Sequence, residues 1–188
     1  MTRFAVLLVM LLLSVPVLAR DVDGIRIPDT QSLAGTKKPL VLNGAGYRIR
    51  YFKRIYVGAL YAVEPLPSVD LIMNATTPRI MRLQAVEKIS AKDLTAMLND
   101  GFVSNNSAFD MQALRTRLGQ ISLLLRDLQP GDSLRFDMLP NGTTTLLIND
   151  KGRGSVYGAD FQRALLKVWL GPRPADTDLK RALLGGKA

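Results

Sequence analysis

The residues best suited to chemistry lie in one stretch, which reads NGAGYR at residues 43–48 and is followed by Tyr56 and Tyr61. If the stretch forms a strand, alternate residues share a face, so that Arg48 points away from Tyr47. A guanidinium that points into an apolar interior needs an anionic or polar partner, because an unpaired buried charge is too costly. Its donors match a carboxylate or phenolate in a two-point contact. The stretch therefore predicts an anion site on Arg48, with the two tyrosines as further donors.

Each of these residues also has a purely structural explanation. Arg48 would suit the solvent-facing side of a half-exposed strand, and the two tyrosines would suit packing within a sheet. Gly44 and Gly46 inside a strand pattern indicate a bulge or the close approach of another element. The Gly-x-Gly pair lacks the third glycine and the βαβ context of a dinucleotide site, so no nucleotide cofactor is predicted.

The composition excludes several classes of enzyme. The 188 residues include no Cys and no His, which removes disulfides, thiolate nucleophiles, Cys/His zinc sites and catalytic triads that need His. We expect no metal and no cofactor. Most other acidic and amide side chains fit helix ends, turns or edge strands: Asp93, Asn99, Asp100, Asn105, Asn106, Asp132, Asp137 and Asp150. Phe161 and Trp169 fit the core, or the wall of a ligand cavity.

The N-terminus has the pattern of a secretory signal peptide. A cationic start at Arg3 precedes an apolar run over residues 4–13, and Val17-Leu18-Ala19 offers a cleavage site. We predict that residues 1–19 are the signal peptide and that residues 20–188 form one exported, periplasmic domain. An uncleaved membrane anchor is the alternative, although a spanning helix needs about 20 apolar residues.

The charge balance is strongly basic, with 25 Lys and Arg against 16 Asp and Glu and a net charge of +9. The basic residues are scattered, and no aromatic ladder runs through a long basic tract, so we predict no nucleic-acid partner. A soluble basic surface explains the charge most simply. Attraction to anionic envelope lipids is the alternative.

The apolar patterns predict strands, then helices, then strands and helices again. Strands are expected at Ile25–Ile27, Leu40–Arg50, Arg54–Ala62 and Arg79–Val86, and a meander is expected at Ser133–Leu139, Thr143–Ile148 and Arg153–Val156. Helices are expected from Ser90 through Gly101, at Ala108–Leu128, at Asp160–Leu170 and at Asp176–Leu184. Without strand–helix alternation, this order predicts an α+β domain with helices on one face of a mostly antiparallel sheet.

Four segments together resemble the bacterial chalcone isomerase-like proteins. They read NGAGYRIRYFKRIYVGALY, GFVSNNS, LPNGTTTLLINDKGRGSVYGADFQRALLKVWLG and DLKRALLG, and the resemblance extends over residues 38–185. It implies a large antiparallel sheet with helices packed on one face, an open-faced sandwich, and a ligand cleft between sheet and helices. Plant members of this family are isomerases that close a chalcone by intramolecular addition. Related plastid members bind fatty acids without catalysis.

The resemblance also implies roles for particular residues. The arginine that follows Gly-Ala-Gly in the plant enzymes, where it stabilises developing negative charge, corresponds to Arg48. The enzymes' other polar partners fall near positions that are mostly apolar here: Ile55 or Tyr56, Leu94, Gly101 and Val168. An arginine without those partners can still hold a carboxylate, but it is poorly equipped to stabilise an enolate.

The leading hypothesis is therefore an exported, non-catalytic protein that binds a small amphipathic anion such as a fatty acid. Its predicted ligand-binding residues are Arg48, Tyr56, Tyr61 and Gly46. One alternative is an intramolecular lyase that acts on an enone, in which Arg48 is the catalytic residue. The second alternative is an envelope interaction protein that uses its basic surface to contact anionic membranes.

Overall fold

The computed structural model describes residues 19–22 and 24–186. Two short strands, β1 (Ala19–Val22) and β2 (Ile25–Pro28), form a small antiparallel sheet of their own. The other seven strands form one antiparallel sheet whose order follows the chain. They are β3 (Thr30–Gln31), β4 (Leu40–Arg50), β5 (Lys53–Ala62), β6 (Arg79–Ala85), β7 (Ser133–Met138), β8 (Thr143–Ile148) and β9 (Lys151–Tyr157). Residues 1–18 of the predicted signal peptide lie outside the described residues.

Five helices pack on one face of the seven-stranded sheet, which confirms the predicted fold class. They are α1 (Val69–Asn74), α2 (Ala91–Asn105), α3 (Ala108–Leu124), α4 (Ala159–Leu170) and α5 (Thr177–Leu183). The sheet contributes buried residues such as Leu60 and Phe136 to the core, and α4 contributes Phe161 and Trp169. Burial of these large apolar side chains is the main favourable term that holds the helices to the sheet.

The hairpins of the meander have the predicted turn chemistry. Gly142 has a φ of 86° between β7 and β8, and Asn149 and Asp150 have φ of 50° and 58° between β8 and β9. Gly, Asn and Asp are the residues that adopt this left-handed region at least cost. Local sequence therefore predicts the two hairpins of the meander.

The helix starts are confirmed more closely than the helix ends. Ser90 caps α2 by accepting a hydrogen bond from the Asp93 amide at 3.0 Å. The prediction that the helix beginning at Ala108 continues to Leu128 is wrong. Helix α3 ends at Leu124, Leu125 is already extended, and Leu128 pairs with Ile89 in a β-bridge. Helix α1 was not predicted, since its six residues are too few to show a helical period.

The second face of the sheet is covered by β2 and by the segment that leads from β2 to β4. Ile27 of β2 and Leu33 of this segment are buried in one cluster with Leu40, Val57 and Ile80 of the sheet. The predicted edge strand at Ile25–Ile27 exists as β2, but it pairs with β1 and not with the large sheet.

Asp137 was predicted as a turn or edge-strand acid, and this is wrong. It lies on β7, an interior strand, and is buried. Arg135 Nε donates to Asp137 Oδ1 at 2.5 Å, Nη2 donates to Oδ2 at 2.9 Å, and Nη2 also donates to the Ser32 carbonyl at 2.7 Å. Burial raises the pKa of Asp137, and the hydrogen bonds from Arg135 oppose that rise. This ion pair ties the covering segment to the sheet and has no part in the candidate site.

Candidate ligand-binding cleft

A cleft of about 430 Å³ lies between the sheet and α2, and we call it the α2 cleft. Its lining is part apolar and part polar, and the apolar part includes Ile55, Ile89, Leu94, Met97 and Ala175. Charged side chains surround its mouth: Arg50, Asp93, Asp100 and Arg173. The volume falls within the roughly 300–1,000 Å³ that is typical of small-molecule sites. A partly apolar cleft with a charged mouth can accept a ligand that is apolar over most of its length and polar at one end.

Arg48 and Tyr56 reach this cleft together because of strand register. Arg48 on β4 pairs directly with Tyr56 on β5, so the two side chains stand side by side on the helix-covered face. A bulge follows between Arg48 and Ile49. The sequence prediction that Arg48 and Tyr56 could act on one ligand is consistent with this placement.

Arg48 lies at the edge of the cleft with a partner that the sequence did not predict. Its side chain is 25% exposed, and Nη1 donates to Asp176 Oδ2 at 3.4 Å and to the Ile49 carbonyl at 2.8 Å. Arg48 is therefore neither fully buried nor a simple surface arginine. Within residues 24–186, its Nε and Nη2 have no hydrogen-bond partner, so two donors remain open to a ligand.

Asp176 is held mainly by backbone amides. Its Oδ1 accepts from the amides of Asp178 at 2.9 Å and Leu179 at 3.1 Å, which caps α5, and its Oδ2 accepts from Ile49 at 3.2 Å. Burial acts to raise the pKa of Asp176, but these bonds and the charge of Arg48 outweigh it and lower the pKa overall. The carboxylate is thus well satisfied without Arg48, whose contact is the longest of the four.

Tyr56 is buried and its hydroxyl lies between two side chains of the helical layer. The oxygen accepts from Trp169 Nε1 at 3.0 Å, and the hydroxyl donates to Met97 Sδ at 3.6 Å. Burial raises the pKa of Tyr56 to about 12, although the bond from Trp169 and the charge of Arg48 oppose the rise. The phenol is therefore protonated at neutral pH, and its proton faces a thioether, which is a weak acceptor.

Tyr61 lies away from the cleft, contrary to its predicted partnership with Arg48. It is fully buried on the opposite face of the sheet, and its hydroxyl donates to the Pro28 carbonyl at 3.0 Å. Tyr56 and Tyr61 are five positions apart on one strand, and an odd separation places them on opposite faces. The alternation of the strand alone could have shown this.

Gly46 is also outside the cleft, and its role is to admit a helix. A Cβ at this position would lie 2.6 Å from the Ala182 Cβ of α5, which is too close for two carbons. Gly44 is similarly covered, since a Cβ there would overlap the Ala182 carbonyl oxygen. The close approach of another element accounts for both glycines, and the predicted bulge is present as well, between Leu42 and Gly44.

Four of the five positions at which the resemblance placed polar partners line the α2 cleft. They are Ile55, Tyr56, Leu94 and Gly101. Val168 lies directly behind Gly101, because a Cβ on Gly101 would come within 2.7 Å of Val168 Cγ1. Trp169 lies in the core, which is one of the two placements predicted for it. It contacts the site through its hydrogen bond to Tyr56.

Met97 and Asp176 belong to the site, and sequence reasoning missed both roles. Met97 lies three residues after Leu94 and four before Gly101, so helical spacing could have placed it on the same wall. The sequence predicted Asp176 only as the first residue of the last helix. Its pairing with Arg48 spans 128 positions in the chain, and no local pattern indicates such a contact.

Among residues 19–22 and 24–186, no three acidic side chains come together in a way that could hold a metal ion. No helix there combines the length and the apolar character that crossing a bilayer requires.

Comparison with known proteins agrees with the fold. The family model described as chalcone isomerase-like matches residues 19–185, and the chain therefore belongs to the chalcone isomerase-like family. A crystal structure of a fatty-acid binding protein from Arabidopsis thaliana is similar, with a TM-score of 0.65 and 16% sequence identity over 86% of this chain and 92% of that chain. At that identity the likeness concerns the fold alone. A sequence search of curated proteins finds no significant match.

Proposed function

We propose that this protein binds a small amphipathic anion, such as a fatty acid, in the α2 cleft. Arg48 holds the anionic group and the apolar walls hold the tail. The observation that carries the proposal is the register pair of Arg48 and Tyr56, two hydrogen-bond donors side by side in the lining of a cleft of about 430 Å³ whose walls are partly apolar. The Arabidopsis protein of similar fold is a fatty-acid binding protein, which supports the same class of ligand.

The guanidinium of Arg48 is suited to a second anionic partner. Its contact with Asp176 uses Nη1 alone, which leaves Nε and Nη2 for a ligand. These two nitrogens lie on one edge of the planar group and match the two oxygens of a carboxylate. The backbone bonds to Asp176 disperse the charge that would otherwise repel an incoming anion.

Tyr56 supplies the second donor. When a ligand binds, the Tyr56 hydroxyl donates to a ligand oxygen in place of the Met97 sulfur, which is a weak acceptor. The Tyr56 oxygen continues to accept from Trp169. A hydrogen bond to a charged acceptor contributes about 1.5–3 kcal/mol, compared with little for a thioether. Since Met97 has three rotatable bonds, it can move aside at low cost.

The same features favour binding over the alternative of an intramolecular lyase. A pKa of about 12 makes the Tyr56 phenol a poor proton-transfer group at neutral pH. Leu94 and Gly101, which line the cleft opposite the sheet, offer no polar side chain to orient water or an enolate.

We also propose that the protein is exported, on the pattern of residues 1–19. Intact-mass measurement of the protein recovered from a Gram-negative host tests this. A chain that begins at Arg20 in the periplasmic fraction is expected, and an uncut chain in the cytoplasm would contradict it.

The ligand proposal is tested by native mass spectrometry of the purified protein. The wild-type protein is expected to carry a lipid adduct, and Arg48→Ala is expected to lose most of it. Arg153→Ala is the matched control, because it removes the same charge from an exposed position on β9. Absence of any adduct on the wild type, or an equal adduct on Arg48→Ala, would refute the proposal.

A further inference from the structure

The turn between β4 and β5 has an unusual combination of exposure and sequence, and we call residues 49–54 the β4–β5 tip. Phe52 is fully exposed, Tyr51 is 81% exposed and Ile49 is 47% exposed. Three large apolar side chains within four positions thus face solvent at the end of a hairpin. Large exposed apolar residues that cluster in this way mark interaction surfaces.

The backbone of the tip disfavours these aromatic residues, although the Arg50 guanidinium lies 5.2 Å from the centroid of the Tyr51 ring. Tyr51 and Phe52 have φ of 49° and 63°, a left-handed pair that disfavours bulky side chains. The same sheet contains a second turn of this kind at Asn149 and Asp150, with φ of 50° and 58°. There the chain uses residues that tolerate the conformation, and Asn149 also accepts a hydrogen bond from the Ser133 amide. At the β4–β5 tip, Tyr51 and Phe52 adopt the disfavoured conformation although their side chains are exposed.

The charge within the tip itself is of one sign. Arg50, Lys53 and Arg54 flank the two aromatic residues and are exposed, with the Arg54 guanidinium 4.5 Å above the Tyr47 ring. The sequence has no Asp or Glu between Asp29 and Glu64. Acids of other elements lie nearby: Asp176, which is paired with Arg48, Asp93 and Asp100, which line the α2 cleft together with Arg50, and Glu87, whose amide binds the Ile55 carbonyl.

We infer that the β4–β5 tip docks on the surface of an anionic lipid bilayer, with Tyr51 and Phe52 in the interfacial region and Arg50, Lys53 and Arg54 at the headgroups. Aromatic side chains prefer the interface, and basic side chains are attracted to anionic lipid. Arg50 belongs both to the tip and to the mouth of the α2 cleft, so docking would bring the cleft to the membrane surface. The inference does not depend on which ligand occupies the cleft.

The first test separates binding from folding by a substitution with opposite effects. Tyr51→Asn with Phe52→Gly installs the residues that this turn prefers, so the fold should become more stable. Binding of the full chain to vesicles of phosphatidylglycerol and phosphatidylcholine should fall by at least about tenfold, the effect of withdrawing two half-buried aromatic side chains. Unchanged binding by the double variant would overturn the inference, and would assign any vesicle binding to another part of the chain, such as the apolar run at residues 4–13.

Charge is tested in the same vesicles. Lys53→Gln should weaken binding about fivefold, and added salt should weaken it further. Arg153→Gln on β9 is the control and should change binding less than twofold. Equal effects of the two substitutions would show a general attraction of the basic protein and would overturn a docking role for the tip.

Depth provides the most local test. In Phe52→Trp, indole fluorescence should be quenched by brominated lipid in anionic vesicles, whereas Phe109→Trp, at another exposed aromatic position on α3, should not be quenched. The buried Trp169 of the parent chain gives the background. Quenching confined to position 109, or absent at both positions, would overturn the inference. Arg48→Ala should keep the quenching at position 52, so failure of the ligand proposal and failure of this one give different results.

Discussion

The contact between α5 and the glycines of β4 and β5 leads to a graded prediction about stability. Gly46→Ala places a methyl group 2.6 Å from the Ala182 Cβ, whereas two carbons in contact are about 3.5–4.0 Å apart. The helix must therefore retreat by about 1 Å along its whole buried side. That side consists of Leu179, Ala182 and Leu183, each almost fully buried.

The cost follows from how rigid the obstacle is. Overpacking of a core by one carbon costs about 1–3 kcal/mol, and a backbone-anchored Cβ cannot turn aside, so we expect about 2–3 kcal/mol for Gly46→Ala. Gly44→Ala should cost at least as much, because its methyl group would meet the helix backbone, with the Leu183 carbonyl carbon at 2.8 Å. Gly58→Ala should cost about 1 kcal/mol, since it meets the flexible end of Leu179 at 3.1 Å.

Urea unfolding of the three variants measures these differences directly. Gly119→Ala is the control, because it lies exposed on α3 with no atom within 4 Å of the new methyl group. This substitution should stabilise the protein by about 0.5–1 kcal/mol. The account is contradicted if the free energy of unfolding of Gly46→Ala lies within about 0.5 kcal/mol of that of the parent protein, or if Gly58→Ala is the most destabilised of the three variants. Either result would mean that α5 does not pack on the sheet as described.

Three further predictions concern Tyr56, Asp176 and Tyr61. Tyr56→Phe leaves the buried Trp169 indole without its acceptor and should lower the free energy of unfolding by about 1–3 kcal/mol in urea titrations. Asp176→Ala removes the cap of α5 and should cost about 1 kcal/mol near neutral pH. Because folding lowers the pKa of Asp176 below 3.8, its contribution is complete above that pH and is lost as the pH falls, so thermal unfolding of Asp176→Ala should depend less on acid. Folding raises the pKa of Tyr56 and Tyr61 to about 12, so stability should decline between pH 10 and 12, as phenolate absorbance would show.

Much of the fold could be predicted from sequence because its signals are local. The turn residues of the meander and the serine that caps α2 each act within four positions of the chain, and all lie where the sequence placed them. The end of α3 was missed because the apolar spacing continues past it. Leu128 is apolar because its side chain is buried in the core, while its backbone bridges Ile89 and does not continue the helix.

The candidate site could be predicted only in part. Strand alternation placed Arg48 on the opposite face from Tyr47, and the structure has the same arrangement. Applied to Tyr56 and Tyr61, the same rule would have excluded Tyr61 from the predicted site. The partnership of Arg48 with Asp176 depends on how α5 docks, and that docking depends on Gly44 and Gly46. Such a contact between distant segments has no periodic signature, so the sequence suggested a close approach without identifying the helix that makes it.

Calorimetric titration with a matched pair of ligands tests the central claim most directly. Dodecanoate and dodecanol share the same tail and differ in the charged group that Arg48 is proposed to hold. The wild-type protein should bind dodecanoate at least about tenfold more tightly than dodecanol, and Arg48→Gln should bind the two within about twofold of each other. Equal affinity of the wild type for both ligands, or a carboxylate preference that survives in Arg48→Gln, would contradict the account.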